Sequence, residues 1–339
     1  MGAETNVLAQ NVAQAQSDTL NVPWWVWLVT LGGLAVLLLL DLVIVDRKPH
    51  EVTTGEAGKW VAFYIGCAIL FGVGVWFFGS YHFAVEYFTG YITEYSLSVD
   101  NLFIFMVIMS SFAVPSVHQH RVLLIGILLA LVMRGIFIAV GAQLINNFVW
   151  VFFIFGAFLL WTAVSMVRKK DEDEEYKENA VVRWVRKAYP VTDEYHGTKM
   201  TVKIEGKRWL TPMAVVIVAI GSADLLFAVD SIPAIFGITQ DPFLVFAANA
   251  FALMGLRQLY FLLGGLVDKL VYLSVGLAAI LGFIGIKLVI HALHAYHLVP
   301  DWLEIGNFLS LGVIVVILAI TTVASLAKSK KDVQATSGG

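Results

Sequence analysis

Long apolar stretches separated by short polar segments dominate the pattern of the chain. A bilayer core about 30 Å thick is crossed by roughly 20 apolar helical residues. The pattern therefore predicts an all-α polytopic membrane protein in which each apolar stretch forms one transmembrane helix. Nine such spans are predicted, near Val22–Val45, Trp60–Gly79, Phe83–Phe112, Val122–Ile145, Phe148–Val167, Trp209–Ile238, Phe243–Val267, Leu270–Ile290 and Leu303–Leu326.

The basic residues between the spans predict the orientation. From the N-terminal to the C-terminal tail, the connecting segments hold 0, 3, 0, 1, 0, 11, 0, 1, 0 and 3 Lys or Arg residues. Loops on the cytoplasmic side of a membrane carry the excess of Lys and Arg. We therefore expect the N-terminus outside and the C-terminus in the cytoplasm.

The composition adds three exclusions. A hydrophobic content of 59%, with only 25 acidic and 22 basic residues among 339, excludes a soluble globular chain. A single cysteine, Cys67, excludes an intrachain disulfide framework. The first 21 residues contain no Lys or Arg, so they lack the basic region of a cleavable signal peptide. The net charge of −3 gives no indication of a nucleic-acid partner.

An internal repeat appears in the polar residues of the third and sixth spans. Glu94-Tyr-Ser-Leu-Ser-Val-Asp100-Asn101 matches Asp224-Leu-Leu-Phe-Ala-Val-Asp230-Ser231 in acid spacing and flanking residues. The next spans carry Arg134 and Arg257 in similar apolar phrases, and spans five and eight share a Gly-rich phrase. Each unit contains three helices, an odd number, so the second unit must enter the membrane from the side opposite to the first. This gives an inverted repeat, which is typical of secondary transporters.

This repeat organises the whole chain. We expect a disordered extracytoplasmic tail, spans one and two, a first three-helix repeat, a cytoplasmic loop, a second three-helix repeat, a ninth span and a cytoplasmic tail. The corresponding residues are 1–21, 22–79, 83–167, 168–208, 209–290, 303–326 and 327–339.

Apart from Glu86 at the outer edge, which we expect to be hydrated, eight charged residues lie within predicted spans. A charge at the membrane midplane costs about 2.5–3.5 kcal/mol on insertion scales, so such residues face a bundle interior or water and mark a function by default. A purely structural alternative is that the two arginines neutralise two carboxylates and lock the bundle. The eight are Asp41, Glu94, Asp100, Arg134, Asp224, Asp230, Arg257 and Lys287.

The surplus of acids over arginines favours a cation site. Residues six apart on a helix lie about 120° apart, so Glu94 and Asp100 cannot share a face, whereas residues seven apart can. Either the cavity is wide, or the third and sixth spans are unwound between their acids, as Pro233 and the serines near the acids favour. We predict metal ligands at Glu94, Asp100, Asp224, Asp230, Asn101 and Ser231.

Arg134, Arg257, Lys287 and Asp41 are predicted to supply supporting charge. Lys287 either pairs with a site acid when no cation is bound or extends to the membrane surface. Asp41, near the cytoplasmic end of the first span, lies either in an entry vestibule or in hydrated headgroups.

The ligand types narrow the choice of cation. Carboxylate, amide and hydroxyl oxygens suit Mn²⁺, Ca²⁺ or Mg²⁺, whereas zinc and copper sites usually include imidazole or thiolate. All eight histidines lie in loops or at span edges. We expect no permanently bound cofactor, and a hard divalent cation as the transported ion.

The acidic phrases resemble those of the TerC family of bacterial integral membrane proteins. The resemblance covers about residues 31–326 and is strongest in Asp224-Leu-Leu-Phe-Ala-Val-Asp230-Ser-Ile-Pro-Ala-Ile-Phe-Gly-Ile-Thr. The family is named for an association with tellurite resistance and includes manganese exporters and members implicated in supplying Mn²⁺ to exported enzymes. The resemblance implies a multi-pass protein of the bacterial inner membrane, with Glu94, Asp100, Asp224 and Asp230 as functional positions. Gly221-Ser222-Ala223 replaces a Glu that some members have before the second motif.

Three functions follow as hypotheses. The first is a secondary transporter that exports Mn²⁺ or another divalent cation by alternating access, with protons exchanged onto the same carboxylates. The second is a membrane factor that delivers metal to secretion machinery or exported metalloproteins. The third is an intramembrane hydrolase using paired acids, which is disfavoured because the two acids of each helix face apart. We therefore expect no enzymatic activity.

Overall fold

A computed structural model describes residues 20, 22–45, 54–168, 179–204, 206–263 and 272–337. Nearly all of these residues are helical, as an apolar environment requires, because a helix satisfies its backbone hydrogen bonds internally. In chain order the elements are α1 (Trp24–Val45), α2 (Thr54–Phe78), α3 (Tyr81–Ser111), α4 (Ser116–Asn147), α5 (Val151–Arg168), α6 (Ala180–Ala188), β1 (Thr201–Ile204), β2 (Lys207–Leu210), α7 (Pro212–Phe236), α8 (Pro242–Met254), α9 (Leu256–Leu263), α10 (Leu273–Ala295) and α11 (Asn307–Ser337).

Apolar helices long enough to cross a membrane make up most of the molecule. Among the described residues, eight helical segments reach that length, corresponding to predicted spans two to nine. The first predicted span coincides with α1. The described apolar part of α1, Trp24–Leu40, is shorter than the length needed to cross a membrane. The chain is therefore an all-α polytopic membrane protein, in agreement with the sequence pattern.

The third and sixth spans, α3 and α7, are each one continuous helix, so neither is unwound between its acids. Two of the serines lie within these helices with their hydroxyls bonded to a carbonyl of the same helix: Ser96 Oγ donates to Ile92 O at 2.6 Å, and Ser222 Oγ donates to Val218 O at 2.7 Å. Pro233 lies inside α7, close to its C-terminal end. There it removes one hydrogen bond without ending the helix.

An interruption occurs instead in the seventh span. The helix stops at Met254, Gly255 forms a turn, and α9 begins at Leu256. Glycine is a weak helix former, so a break at this position has a low cost. The buried Arg257 follows the break within the first turn of α9.

The helices of the two predicted repeat units pack against one another in pairs. Helix α3 contacts α8 and α7, α4 contacts α7, and α5 contacts α10 along much of their lengths. Two glycines bring α5 and α10 close: a Cβ built on Gly156 would lie 2.9 Å from the carbonyl oxygen of Gly285 and 2.7 Å from Val289 Cγ2. Small residues at such contacts are typical of membrane helix pairs.

The long loop folds onto one end of the bundle, which we call the loop end. Strands β1 and β2 pair in antiparallel register around Gly206, whose φ is +79°, and form a β-hairpin. Helix α6 buries Val182 and Val185 against the bundle, and Tyr195 Oη donates to Phe112 O, just beyond the end of α3, at 2.8 Å. The opposite end of the bundle, where α3 begins and α7 ends, is the far end.

Parts of several predicted segments lie outside the described residues. They are the tail 1–21 apart from Leu20, residues 46–53 before the second span, residues 169–178 and 205 of the loop, residues 264–271 at the end of the seventh span and the start of the eighth, and residues 338–339 of the C-terminal tail. The side chain of Asp41 also lies outside the described part, although its backbone belongs to α1.

Candidate functional site

The guanidinium of Arg134 lies at the centre of the bundle and joins three other helices. It bonds to the carboxylate of Glu94 on α3 through Nη1. It reaches Asp224 on α7 with two nitrogens, Nη2 to Oδ1 at 3.1 Å and Nε to Oδ2 at 3.4 Å. Nη1 also reaches Asn249 Oδ1 on α8 at 3.3 Å. We call these four residues the central cluster.

Burial of the charged groups in this cluster carries a desolvation cost. Arg134 and Glu94 are each 1% exposed, and Asp224 is 2% exposed. A buried ion is tolerated only when it is paired and its hydrogen-bonding capacity is used. The planar guanidinium suits this task, because it donates to two carboxylates at once and bidentately to one of them.

Several polar atoms on the helices that form the cluster, α3, α7 and α8, have no hydrogen-bond partner within the described part of the chain. They are Glu94 Oε2, Ser98 Oγ, Ser231 Oγ and Asn249 Nδ2, and all are buried. Buried polar atoms are normally satisfied, so each such exception requires an explanation. Three of the four are oxygens, the atoms by which hard cations are bound.

The predicted faces of α3 and α7 are observed. Asn101 is buried with Glu94, and Ser231 is buried with Asp224, as residues seven apart on one helix should be. Asp100 and Asp230 lie on the other face and are only partly buried. Asp230 Oδ1 accepts a hydrogen bond from Thr162 Oγ1 on α5 at 3.3 Å.

The four acids do not converge on one point in this conformation. No group of three or more His, Cys, Asp or Glu side chains among the described residues is placed to hold one metal ion. The separation of about 120° within each acid pair keeps Asp100 and Asp230 out of the central cluster. Metal binding by these residues stays a prediction.

Comparison with known proteins identifies the family. The sequence profile of the Integral membrane protein TerC family matches residues 79–333, most of the chain. The chain belongs to the TerC family.

The relatives with substantial identity are bacterial membrane proteins. An uncharacterized membrane protein of Mycobacterium tuberculosis (strain H37Rv) is 46% identical over 321 residues, covering 91% of this chain and 81% of the relative. An uncharacterized membrane protein of Myxococcus xanthus is 39% identical over 304 residues, covering 90% and 92%. The putative membrane-bound redox modulator Alx of Escherichia coli (strain K12) is 38% identical over 296 residues, covering 85% and 89%. No solved structure matches the chain significantly.

In this TerC protein Lys287 lies away from the central cluster. Its Nζ donates to Asn307 Oδ1 at 2.8 Å, and Asn307 Nδ2 donates to Glu86 Oε1 at 2.8 Å. Thr239 Oγ1 donates to Glu86 Oε2 at 2.6 Å. These four residues, the far-end network, join α3, α10, α11 and the segment after α7, so Lys287 Nζ is bound among far-end residues and does not extend toward the loop end, where the cytoplasmic alternative would place it.

Two features of the TerC site differ from the sequence-based expectation. Glu86 is 6% exposed, although its place near the end of a span predicted a hydrated side chain; Thr239 and Asn307 cover it. Asn249, which the acid phrases did not indicate, is the partner of Arg134 on α8. The sequence does contain an indication of this role: Asn249 lies alone among apolar residues in α8, and a polar residue in a membrane helix usually faces the bundle interior.

Arg257 is the repeat counterpart of Arg134 in the TerC chain. It is 1% exposed, and its neighbour Gln258 is also buried. It lies on α9, directly after the break at Gly255. Its role as a supporting charge stays a prediction.

Proposed function

We propose that this TerC protein is a secondary transporter that exports divalent cations from the cytoplasm, with Mn²⁺ the preferred ion and protons exchanged onto the same carboxylates. The observation that carries the proposal is the central cluster: two buried carboxylates from different predicted repeat units share one guanidinium, beside buried oxygens without partners. Intramembrane acids in such a position are typical of ion pathways.

The pattern of helix contacts supports the inverted repeat of nine spans. The repeat makes α3 the counterpart of α7, α4 the counterpart of the α8–α9 span, and α5 the counterpart of α10. When each helix is replaced by its counterpart, the α3–α8 contact becomes the α7–α4 contact, which is also present. The α3–α7 and α5–α10 contacts map onto themselves under the same exchange. A pseudo-two-fold axis in the membrane plane would produce this pattern, and transporters of this kind bind their substrates between the two units.

The acids are arranged along the membrane normal. Asp100 follows Glu94 by six residues, about 9 Å of helix axis, in the direction of the loop end. Asp230 follows Asp224 by the same distance, but α7 runs the opposite way, so Asp230 lies toward the far end. We propose that a cation passes Asp100, then the central cluster, then Asp230, with Asn101 and Ser231 as further oxygen ligands.

Arg134 acts in this scheme as the internal counter-cation. With no metal bound, its charge balances Glu94 and Asp224. An arriving divalent cation replaces the guanidinium at these carboxylates, where Glu94 Oε2 is an oxygen that it could use. Ser98 Oγ lies toward the loop end of the cluster and Ser231 Oγ toward the far end, so they could bind the cation before and after it. When the cation leaves toward the outside, protons or Arg134 restore the charge balance, because like charges in a poorly solvated place resist joint ionisation.

A second candidate function is delivery of metal to secretion machinery or exported metalloproteins, which the same carboxylates could serve. The name of the Alx relatives refers to redox modulation. With one cysteine, this chain cannot form a dithiol–disulfide couple within itself. An intramembrane hydrolase stays disfavoured because the two acids of each helix do not meet.

Metal flux into sealed proteoliposomes made from the purified chain tests the proposal. We expect Mn²⁺ flux that exceeds that of protein-free vesicles and that is abolished in Asp100→Asn and Asp230→Asn. Asp193→Asn, which removes an exposed acid of the loop, is the matched control and should retain flux. Absent flux with intact Mn²⁺ binding would support delivery, and absent flux and binding would overturn both.

A further inference from the structure

Helix α6 carries three stripes of different character. Successive residues lie about 100° apart on a helix. Val182 and Val185 form a buried stripe, with Val182 fully buried. Val181 and Trp184 form an exposed apolar stripe together with Ala188, and Trp184 is 64% exposed. The basic residues Arg183 and Lys187, four apart and both exposed, form the third stripe, opposite the buried one.

Side-chain contacts fix the depth of α6 beside the bundle. Asn179 caps the helix, its Oδ1 accepting from Val182 N at 2.9 Å, and its Nδ2 donates to Ser222 Oγ at 2.7 Å. Ser222 is ten residues beyond the first residue of α7, or about 15 Å along that helix. The start of α6 therefore lies beside the apolar part of α7, and we expect acyl chains to be the neighbours of the exposed apolar stripe.

We infer that α6 is an interfacial helix whose basic stripe, Arg183 and Lys187, binds the headgroups of anionic phospholipids. Trp is enriched where a membrane helix meets the headgroup region, and Lys and Arg extend from apolar surroundings to that level. An apolar stripe next to a basic one is the pattern of helices that lie in the interface and prefer anionic lipid. This inference concerns the lipid partner alone and does not depend on cation transport.

The partner is a lipid surface and not a soluble polyanion because of the neighbouring apolar stripe. A basic stripe that bound nucleic acid would require no exposed Val181 and Trp184 beside it. Each Lys or Arg near an anionic membrane surface contributes about a fivefold preference. Two such residues on one face are sufficient to enrich anionic lipid locally.

A fluorescent label on α6 in lipid nanodiscs tests the inference with the full chain. Cys67, the one cysteine, is replaced by Ala, and Ala188→Cys places a fluorophore on the apolar stripe. The nanodiscs contain phosphatidylcholine with a minority of phosphatidylglycerol, and the quenching bromine atoms are placed on the chains of one lipid or the other. We expect several-fold more quenching per mole by brominated phosphatidylglycerol, and a smaller excess at high salt.

Variants of the basic stripe supply the control. Arg183→Gln with Lys187→Gln should make the two lipids equal quenchers per mole, whereas Arg183→Lys with Lys187→Arg, which keeps both charges, should preserve the excess. Equal quenching by both lipids in the unmodified stripe would overturn the headgroup preference. No quenching by either lipid, or a response only to added RNA, would overturn the interfacial position.

Discussion

At the residue scale, Arg134 is held by partners on three other helices. One guanidinium bonds to Glu94 and Asp224, both almost completely buried, and it also contacts Asn249. Its removal would leave two carboxylates without a cation in a region of low dielectric constant. The sequence predicted Arg134 as a supporting charge, but its three partners come from three different helices and could not be assigned without the packing.

Arg134→Gln should lower the free energy of unfolding by about 3–5 kcal/mol, the usual cost of breaking a buried ion pair by removing one partner. Thermal unfolding in detergent measures the change. Arg121→Gln, which removes an exposed Arg that bonds to Thr198, is the control and should change stability by less than about 1 kcal/mol. Equal effects of the two substitutions would contradict the central role of Arg134.

Asp241 caps α8 just outside its span. Its Oδ1 accepts from the backbone N–H groups of Phe243 and Leu244, and its Oδ2 accepts from Leu20 N at 2.7 Å. Asp241→Ala should lower the free energy of unfolding by about 1–2 kcal/mol through loss of the cap. Asp241→Asn, which keeps an oxygen acceptor, should cost less, as thermal melting at neutral pH would measure.

Burial raises the pKa of Asp241, although its three backbone hydrogen bonds oppose the shift. A carboxyl whose folded-state pKa is raised stabilises the fold most at low pH, and this contribution is lost as the pH rises through the folded pKa. The stability of the unsubstituted chain relative to Asp241→Asn should therefore increase as the pH falls through the raised pKa toward the ordinary value of 3.8. A decrease over that range would contradict the direction of the shift.

At the element scale, the long apolar stretches located the described helices well but did not indicate the turn at Gly255. Helices occupy the predicted spans, and the hairpin around Gly206 is present. Serines and Pro233 indicated unwinding in α3 and α7, yet the hydroxyls of Ser96 and Ser222 bond within their helices. Several other glycines lie inside helices that continue through them, so the sequence around Gly255 does not by itself indicate a turn. The position of this turn therefore depends on tertiary packing.

The contact between α5 and α10 depends on two glycines and gives an element-scale prediction. Gly156→Val should destabilise the bundle by about 1–3 kcal/mol, because its Cβ would lie 2.9 Å from the backbone oxygen of Gly285, which cannot move independently. Gly282→Ala on α10 is the control, since its Cβ would lie an ordinary 3.7 Å from Ala163 Cβ. Thermal unfolding that ranks the two substitutions equally would contradict the close packing.

At the scale of the whole molecule, packing of α3 against α7 brings the two acid phrases together. The matching acid phrases of α3 and α7 make Glu94 the counterpart of Asp224, and in the folded chain these two residues do meet, through Arg134. The far-end network could not be predicted, because nothing local links Glu86 to Thr239 and Asn307. Convergence of all four acids was an extrapolation from symmetry; opposite helix directions instead separate Asp100 and Asp230 along the bundle.

The proposed orientation predicts which residues are accessible from each side. In a Cys67→Ala background, a cysteine at His196 in the loop should react with a membrane-impermeant thiol reagent only from the cytoplasm. A cysteine at Gly306, before α11, should react only from outside. Labelling of both cysteines from the same side would contradict the inverted arrangement. Labelling of the His196 position from outside and the Gly306 position from the cytoplasm would contradict only the orientation that the Lys and Arg counts predict.

The central claim is that a divalent cation passes along the acids of α3 and α7. Anomalous X-ray density from crystals of the purified protein grown with saturating Mn²⁺ tests it most directly. We predict Mn²⁺ density within ligand distance of Glu94 and Asp224, or of Asp100 or Asp230 at the adjoining positions, and its loss in the corresponding Asn or Gln variants. Under saturating Mn²⁺, density that is absent from all four carboxylates would contradict the account.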